Sequence, residues 1–169
     1  MTDTPEQAAR AARDLVETVL SGALATVRRQ AKDRTGAAGV PGGHPYVSKV
    51  GVAVDTAGTP IFLFSTLAAH TQDLLADPRA SLLVEAAGQG GGNPLEAARV
   101  TLVGQAQPLQ GEAAKAARAM YLARHSSAKR YVDFGDFAFW SLSIEKVHYV
   151  GGFGQAKWIK GVLYRDVSR

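Results

Sequence analysis

From Phe137 to Val150 large apolar residues alternate with polar ones, until Gly151-Gly152-Phe153-Gly154 breaks the pattern. Period two over such a run means a long strand with one face buried and the other turned outward. Strands of a parallel sheet are covered on both faces and read as continuous apolar runs, so this segment calls for an antiparallel sheet.

The rest of the chain supplies shorter pieces of the same kind. Thr4-Pro5-Glu6 has the chemistry of an N-cap, a first-turn proline and an acid, and Ala8, Ala12, Leu15 and Val19 follow at helical spacing. We therefore expect an N-terminal helix within residues 1–22, closed by Ser21-Gly22. Ala23 to Val27 reads as a strand, and the Gly-, Lys- and Arg-rich residues 28–43 as a flexible loop. Valine-dense Tyr46 to Val54, the turn chemistry of Asp55-Thr56-Ala57-Gly58 and apolar Pro60 to Ser65 together predict a β-hairpin. Leu67, Leu74 and Leu75 predict one face of a helix stopped at Asp77-Pro78, followed by a strand from Ala80 to Ala86. Gly88 to Asn93 is a flexible loop. Arg99 to Ala106 alternates as a strand, alanine-rich Gly111 to Arg124 is a helix with Met120 and Tyr121 on one side, and a short helix spans Ala128 to Phe134. Residues 160–169 are expected to be a disordered tail. Helices that do not alternate regularly with strands favour a mainly β fold with α, an antiparallel barrel with peripheral helices, over a doubly wound sheet.

A chain of 169 residues suits one domain spanning 1–169, and 46% hydrophobic with 20% charged residues excludes global disorder. The absence of cysteine removes disulfides, thiolate metal sites and a thiol nucleophile, in keeping with a reducing, cytoplasmic setting. Neither a signal peptide nor a membrane-crossing apolar run is expected. The net charge of +4 and a pI near 9.5 are scattered along the chain, so a nucleic-acid partner is not expected, and a phosphate-bearing small ligand accounts for the charge as well.

At Phe64-Ser65-Thr66-Leu67-Ala68-Ala69-His70-Thr71 a strand ends in hydroxyls and a helix begins. Free amides at a helix N-terminus attract anions, and Ser65, Thr66, Thr71 and the His70 ring add donors; the plainer reading is that Ser65 or Thr66 only caps the helix. The scattered His44, His125 and His148 do not form a metal-ligand set, and no serine sits in a nucleophile elbow.

The succession Leu24-Ala25-Thr26-Val27, Pro45-Tyr46-Val47-Ser48, Ser65 to Thr71, Asp77-Pro78-Arg79-Ala80-Ser81-Leu82-Leu83, with Arg99 to Gly104 and Gly151 to Ala156, resembles the pyridoxamine-phosphate-oxidase-like FMN-binding split barrels, in particular the heme-utilisation flavoprotein branch. The resemblance covers about Ala23 to Ile159. It implies FMN bound at the interface of a homodimer, with an electron donor such as NADH or NADPH and an unassigned substrate. It implies cofactor contacts from Val47, Ser48, Lys49, Phe64, Ser65, His70, Thr71, Arg99, Phe153 and Trp158. His70 and Thr71 stand where the oxidases carry an Arg-Lys phosphate grip, so permanent charge is lost there and Lys49 is placed to supply it. Arg99 stands where a glutamine approaches the flavin, or else simply opens a surface strand. Phe153 and Trp158 either cover the cofactor or are ordinary aromatics. The implied activity is an FMN-dependent oxidoreductase. The alternatives are heme binding or degradation, for which no histidine follows His148, and a flavin-binding module without turnover.

Overall fold

The computed structural model describes residues 4–30, 39–86, 93–152 and 155–167. The chain runs α1 (Pro5–Thr18), β1 (Ser21–Val27), β2 (Pro45–Gly51), β3 (Ala53–Val54), β4 (Pro60–Ser65), α2 (Ala69–Ala76), β5 (Arg79–Glu85), β6 (Arg99–Pro108), α3 (Gly111–Arg124), β7 (Phe137–Val150), β8 (Ala156–Lys160) and α4 (Gly161–Asp166). Short 3-10 turns occupy Pro94–Glu96 and Ser126–Arg130. The eight strands make one sheet in the order β2-β1-β5-β6-β7-β4-β3, with β8 also on β7, and every pairing is antiparallel. It curls into a half-barrel.

The long alternating segment explains the curl. β7 pairs with β6 along one edge, while its other edge takes β4 over Phe137–Ser141 and β8 over Lys146–Val150. One strand thus joins two directions of sheet, and the register shift at Val103/Gly104 on β6 adds the bend that a β-bulge gives. The inward cross-strand row Leu24, Leu82, Leu102, Val147 and Ile159 is buried, and α1 lays Ala8, Ala9, Ala12 and Val16 against the same core. The adjacent outward row runs Lys49, Ala23, Leu83, Thr101, His148 and Trp158, and none of these six is buried. A second cluster forms where Ala117 and Tyr121 of α3 meet Ala53, Ile61, Leu63 and Phe139.

The N-cap at Thr4, the bounds of α3 and those of β7 agree with the sequence reading, and Gln7 adds a capping box to that N-cap. Other expectations need correcting. α1 ends at Thr18, and Ser21 and Gly22 already belong to β1. Tyr46 to Val54 is not one hairpin arm: β2 leaves to pair with β1, and only Ala53 and Val54 pair with β4 around the expected turn, where Asp55 accepts from the amides of Ala57 and Thr59. α2 begins at Ala69 and buries Leu74, leaving Leu67 and Leu75 exposed. The end of the flexible-loop reading at 28–43 is pinned by hydrogen bonds between Arg28 and both Gly43 and His44, while 31–38, like most of Gly88 to Asn93, lies outside the described residues.

Over residues 160–167 the expected disordered tail is instead β8's last residue, α4 and its C-cap, while 168 and 169 lie outside the described residues. Tyr164 is fully buried and donates its hydroxyl to the Gly58 carbonyl, and the Arg13 guanidinium binds the carbonyls of Arg165, Val167 and Thr56, tying α1, α4 and the β3–β4 turn together. A buried aromatic and a multiply bonded arginine override the charge of the segment. Gly161 opens α4 against β7, and a Cβ there would collide with the Ile144 carbonyl oxygen. Gly161→Ala should therefore lower stability by about 1–3 kcal/mol, read as an earlier thermal unfolding midpoint, whereas alanine at the open Gly135 position should not do so through such a clash.

Candidate functional site

Where the curled sheet brings β2 opposite β4, a cavity of about 360 Å³ opens. Lys49, Val50 and Gly51 of β2 form one wall, and Leu63, Phe64 and Ser65 of β4 the other. Ala68 and His70 of the α2 start, Tyr121 of α3, and Tyr131 and Phe137 complete it. It is an aromatic slot with few polar groups, within the size range of cofactor sites.

His70 is half-buried with its ring edge-on to Phe64, the centroids 4.6 Å apart at 62°. Burial lowers its pKa below the ordinary 6.5, a shift that the charge of Asp73 partly opposes. At neutral pH the imidazole is uncharged and keeps a lone pair. Tyr121 is 4% exposed, and burial, assisted by Tyr131, pushes its phenol up to about 12.

The helix carrying His70 is fixed by a carboxylate that the sequence reading did not single out. Asp73, fully buried, accepts from Thr26 Oγ1 at 3.1 Å, from the Arg28 guanidinium at 3.0 and 3.1 Å and from the Arg29 amide at 3.1 Å. Arg28 also lies 5.0 Å over the Tyr46 ring. The available signal was the charge itself, placed between Thr71 and Leu74 on the buried side of a short helix.

The corner expected to clasp a phosphate is arranged differently. Ser65 donates its hydroxyl to Asp136 at 2.5 Å and accepts from the Leu67 amide at 3.1 Å, while the Thr66 amide binds the Asp136 carbonyl. No side chain caps α2, whose N-cap is Ala68. The corner therefore combines uncapped amides with a nearby carboxylate, and the two act oppositely on an anion.

Among the expected contacts, Lys49, Phe64, Ser65 and His70 come together in the cavity. Val47 lies across β2, in a second hollow of about 500 Å³ that Lys49 also lines, with Ser21 to Ala23 and Leu83 to Ala86. Ser48 pairs with core-facing Leu24, and Thr71 is 1% exposed with its hydroxyl unpartnered, so both stand in the wall and not in the lining. Arg99 spends its guanidinium on the Leu95 and Ala97 carbonyls, and Trp158, exposed on β8, stacks on His148 at 4.6 Å; neither lines the cavity. Phe153 lies outside the described residues. Gly51, Leu63, Tyr121, Tyr131 and Phe137 are lining residues that the sequence reading missed. No group of three or more metal-ligating side chains occurs among the described residues.

An antiparallel split-barrel-like α+β domain with a cofactor-sized aromatic slot is the class that these observations define. Residues 3–166 match the CREG β-barrel family, and the chain belongs to it. It is 40% identical over 116 residues to the non-canonical heme oxygenase HOZ, chloroplastic, of Arabidopsis thaliana, covering 68% of this chain and 34% of that protein. The structure of a heme binding protein from Mycobacterium smegmatis is 32% identical with a TM-score of 0.81, over 98% of this chain and 61% of that one. The chain thus spans about a third of the plant protein and three fifths of the mycobacterial one. A FAD-binding protein of Mesorhizobium loti, 22% identical with a TM-score of 0.59 over 82% of this chain and 90% of its own, shares the fold.

Proposed function

We propose that this chain binds heme in the slot between β2 and β4, as a heme-handling member of its family with a role in heme breakdown. The observation that carries the reading is the His70 ring: uncharged through burial, half-buried, and facing an apolar slot. A neutral imidazole is the state that binds iron, aromatic walls suit a flat macrocycle, and exposed Lys49 at the rim suits a carboxylate substituent. His70 would hold the iron and Lys49 a propionate, with Phe64, Tyr131 and Phe137 excluding water from the ring faces. The bound heme would supply the iron at which oxygen chemistry occurs. Relatives that bind or oxidise heme support this over FMN.

A second reading, FMN with oxidoreductase activity fed by NADH or NADPH, is favoured by the uncapped amides of α2 beside Ala68. Asp136 weighs against it by repelling a phosphate at that corner. Under either reading we propose a homodimer built on the outward sheet face, where Val47 and Trp158 are exposed at 60% and 65%.

Parallel titrations of the protein with hemin and with FMN separate the two. Hemin should develop a shifted, saturable Soret band with one heme per chain, and FMN should wash off on desalting. Retained FMN beside an unchanged hemin spectrum would overturn the heme reading.

A further inference from the structure

Two tyrosines are deeply buried, and their hydroxyls have different fates. Tyr164 donates to the Gly58 carbonyl at 3.0 Å. Tyr121, 4% exposed, lines the cavity, and its hydroxyl has no hydrogen-bond partner among the described residues. Its ring cannot swing away readily. It lies 4.5 Å from His125 and 5.9 Å from Phe139, and His125 is itself held by its Nε2 at 3.0 Å from the Val52 carbonyl. The hydroxyl is not among the buried polar atoms left unpartnered, so it reaches the open space of the cavity that its ring lines, and a phenol held rigidly in such a wall is a prepared donor.

Gly51 makes room for it. A Cβ at that position would stand 2.5 Å from the Tyr121 hydroxyl oxygen, yet 3.5 Å from its Cζ and 3.7 Å from His125 Cε1. The conflict is with the oxygen alone, so the absent side chain at 51 and the hydroxyl at 121 are matched.

We infer that the Tyr121 hydroxyl is a ligand-positioning hydrogen-bond donor of this cavity, directed at an oxygen acceptor on the bound ring system, and that Gly51 is the position that permits it. The inference rests on the heme-binding reading of the same slot. Because the phenol stays protonated far above neutral pH, it acts as a donor and not as an anionic iron ligand.

Hemin titrations of wild type, Tyr121→Phe, Gly51→Ala and the double variant test this. Tyr121→Phe should keep the wild-type fold and bind hemin about fivefold to tenfold more weakly, the effect of one lost hydrogen bond. Gly51→Ala should weaken binding at least as much by displacing the hydroxyl, and the double variant should match Tyr121→Phe, since the collision vanishes with the oxygen. Weaker hemin binding by Tyr121→Phe at an unchanged melting temperature is the readout that a merely structural tyrosine would not give, and the rescue ties the effect of Gly51→Ala to the hydroxyl oxygen. If Tyr121→Phe binds hemin as wild type does, or if the double variant loses the product of the two single effects, the inference is overturned while the heme reading stands. If wild type itself gives no Soret shift, both fall together.

Discussion

His70→Ala is expected to weaken hemin binding by about 100-fold or more, because even residues that only support a metal ligand contribute about 10–100-fold. His70→Phe should lose binding equally. It retains a ring against Phe64 and removes the nitrogens, so loss in both variants separates ligation from packing. Difference spectra at the Soret band read the result, and a wild-type titration curve for either variant would refute the assignment. The pH dependence has a definite sign. The folded-state pKa of His70 lies below 6.5, so hemin affinity should be level through neutral pH and fall as acid protonates the ring. Its contribution to stability runs the same way: it is full above the unfolded-state value of 6.5 and is lost as pH falls toward the folded value.

Asp73→Ala should cost about 3–5 kcal/mol, the usual penalty for stranding one member of a buried ion pair. Arg28 is 15% exposed against 0% for Asp73, which places the expectation toward the lower end. For a chain of this size the unfolding midpoint should drop by roughly 6–20 °C in a thermal melt. Asp73→Asn should lose less, since its one amide oxygen can still accept from the Arg29 amide while its NH2 group can donate to the Thr26 hydroxyl. Asp73→Leu with Arg28→Met should be milder than the sum of its parts, because neither charge is then left alone. A drop under about 1 kcal/mol for Asp73→Ala would place the pair among ordinary surface contacts. Since Asp73 stands one turn after His70, hemin affinity should fall with it even at temperatures where the variant stays folded.

Local signals in the sequence were good where one element decides its own fate. The alternation of Phe137 to Val150 and the alanine-rich run of Gly111 to Arg124 each carry their period internally, and both gave correct bounds. The hairpin reading failed because nothing in Tyr46 to Val54 says which neighbour it will pair with; β1, separated by a long connection, takes Pro45 to Gly51. The tail reading failed because what orders α4 is Arg13, which lies at the far end of the chain. The site divides in the same way. Phe64, Ser65 and His70 fall in one short stretch and were legible together, whereas Gly51 and Tyr121 meet across seventy residues of chain. Asp73 was missed because an acid in a helix reads as solvated until its buried partners Thr26 and Arg28 are known.

The strand order also has a mechanical consequence. β2 closes one end of the hydrogen-bonded path and β4 stands beside β3 at the other, so the walls of the slot are not rungs of a common ladder. A flat guest wedged there would act as a zip fastener, stitching the two margins of an open cylinder through its own two faces. Occupancy would then be felt by the entire fold, and the melting temperature would climb with guest concentration as the logarithm of saturation.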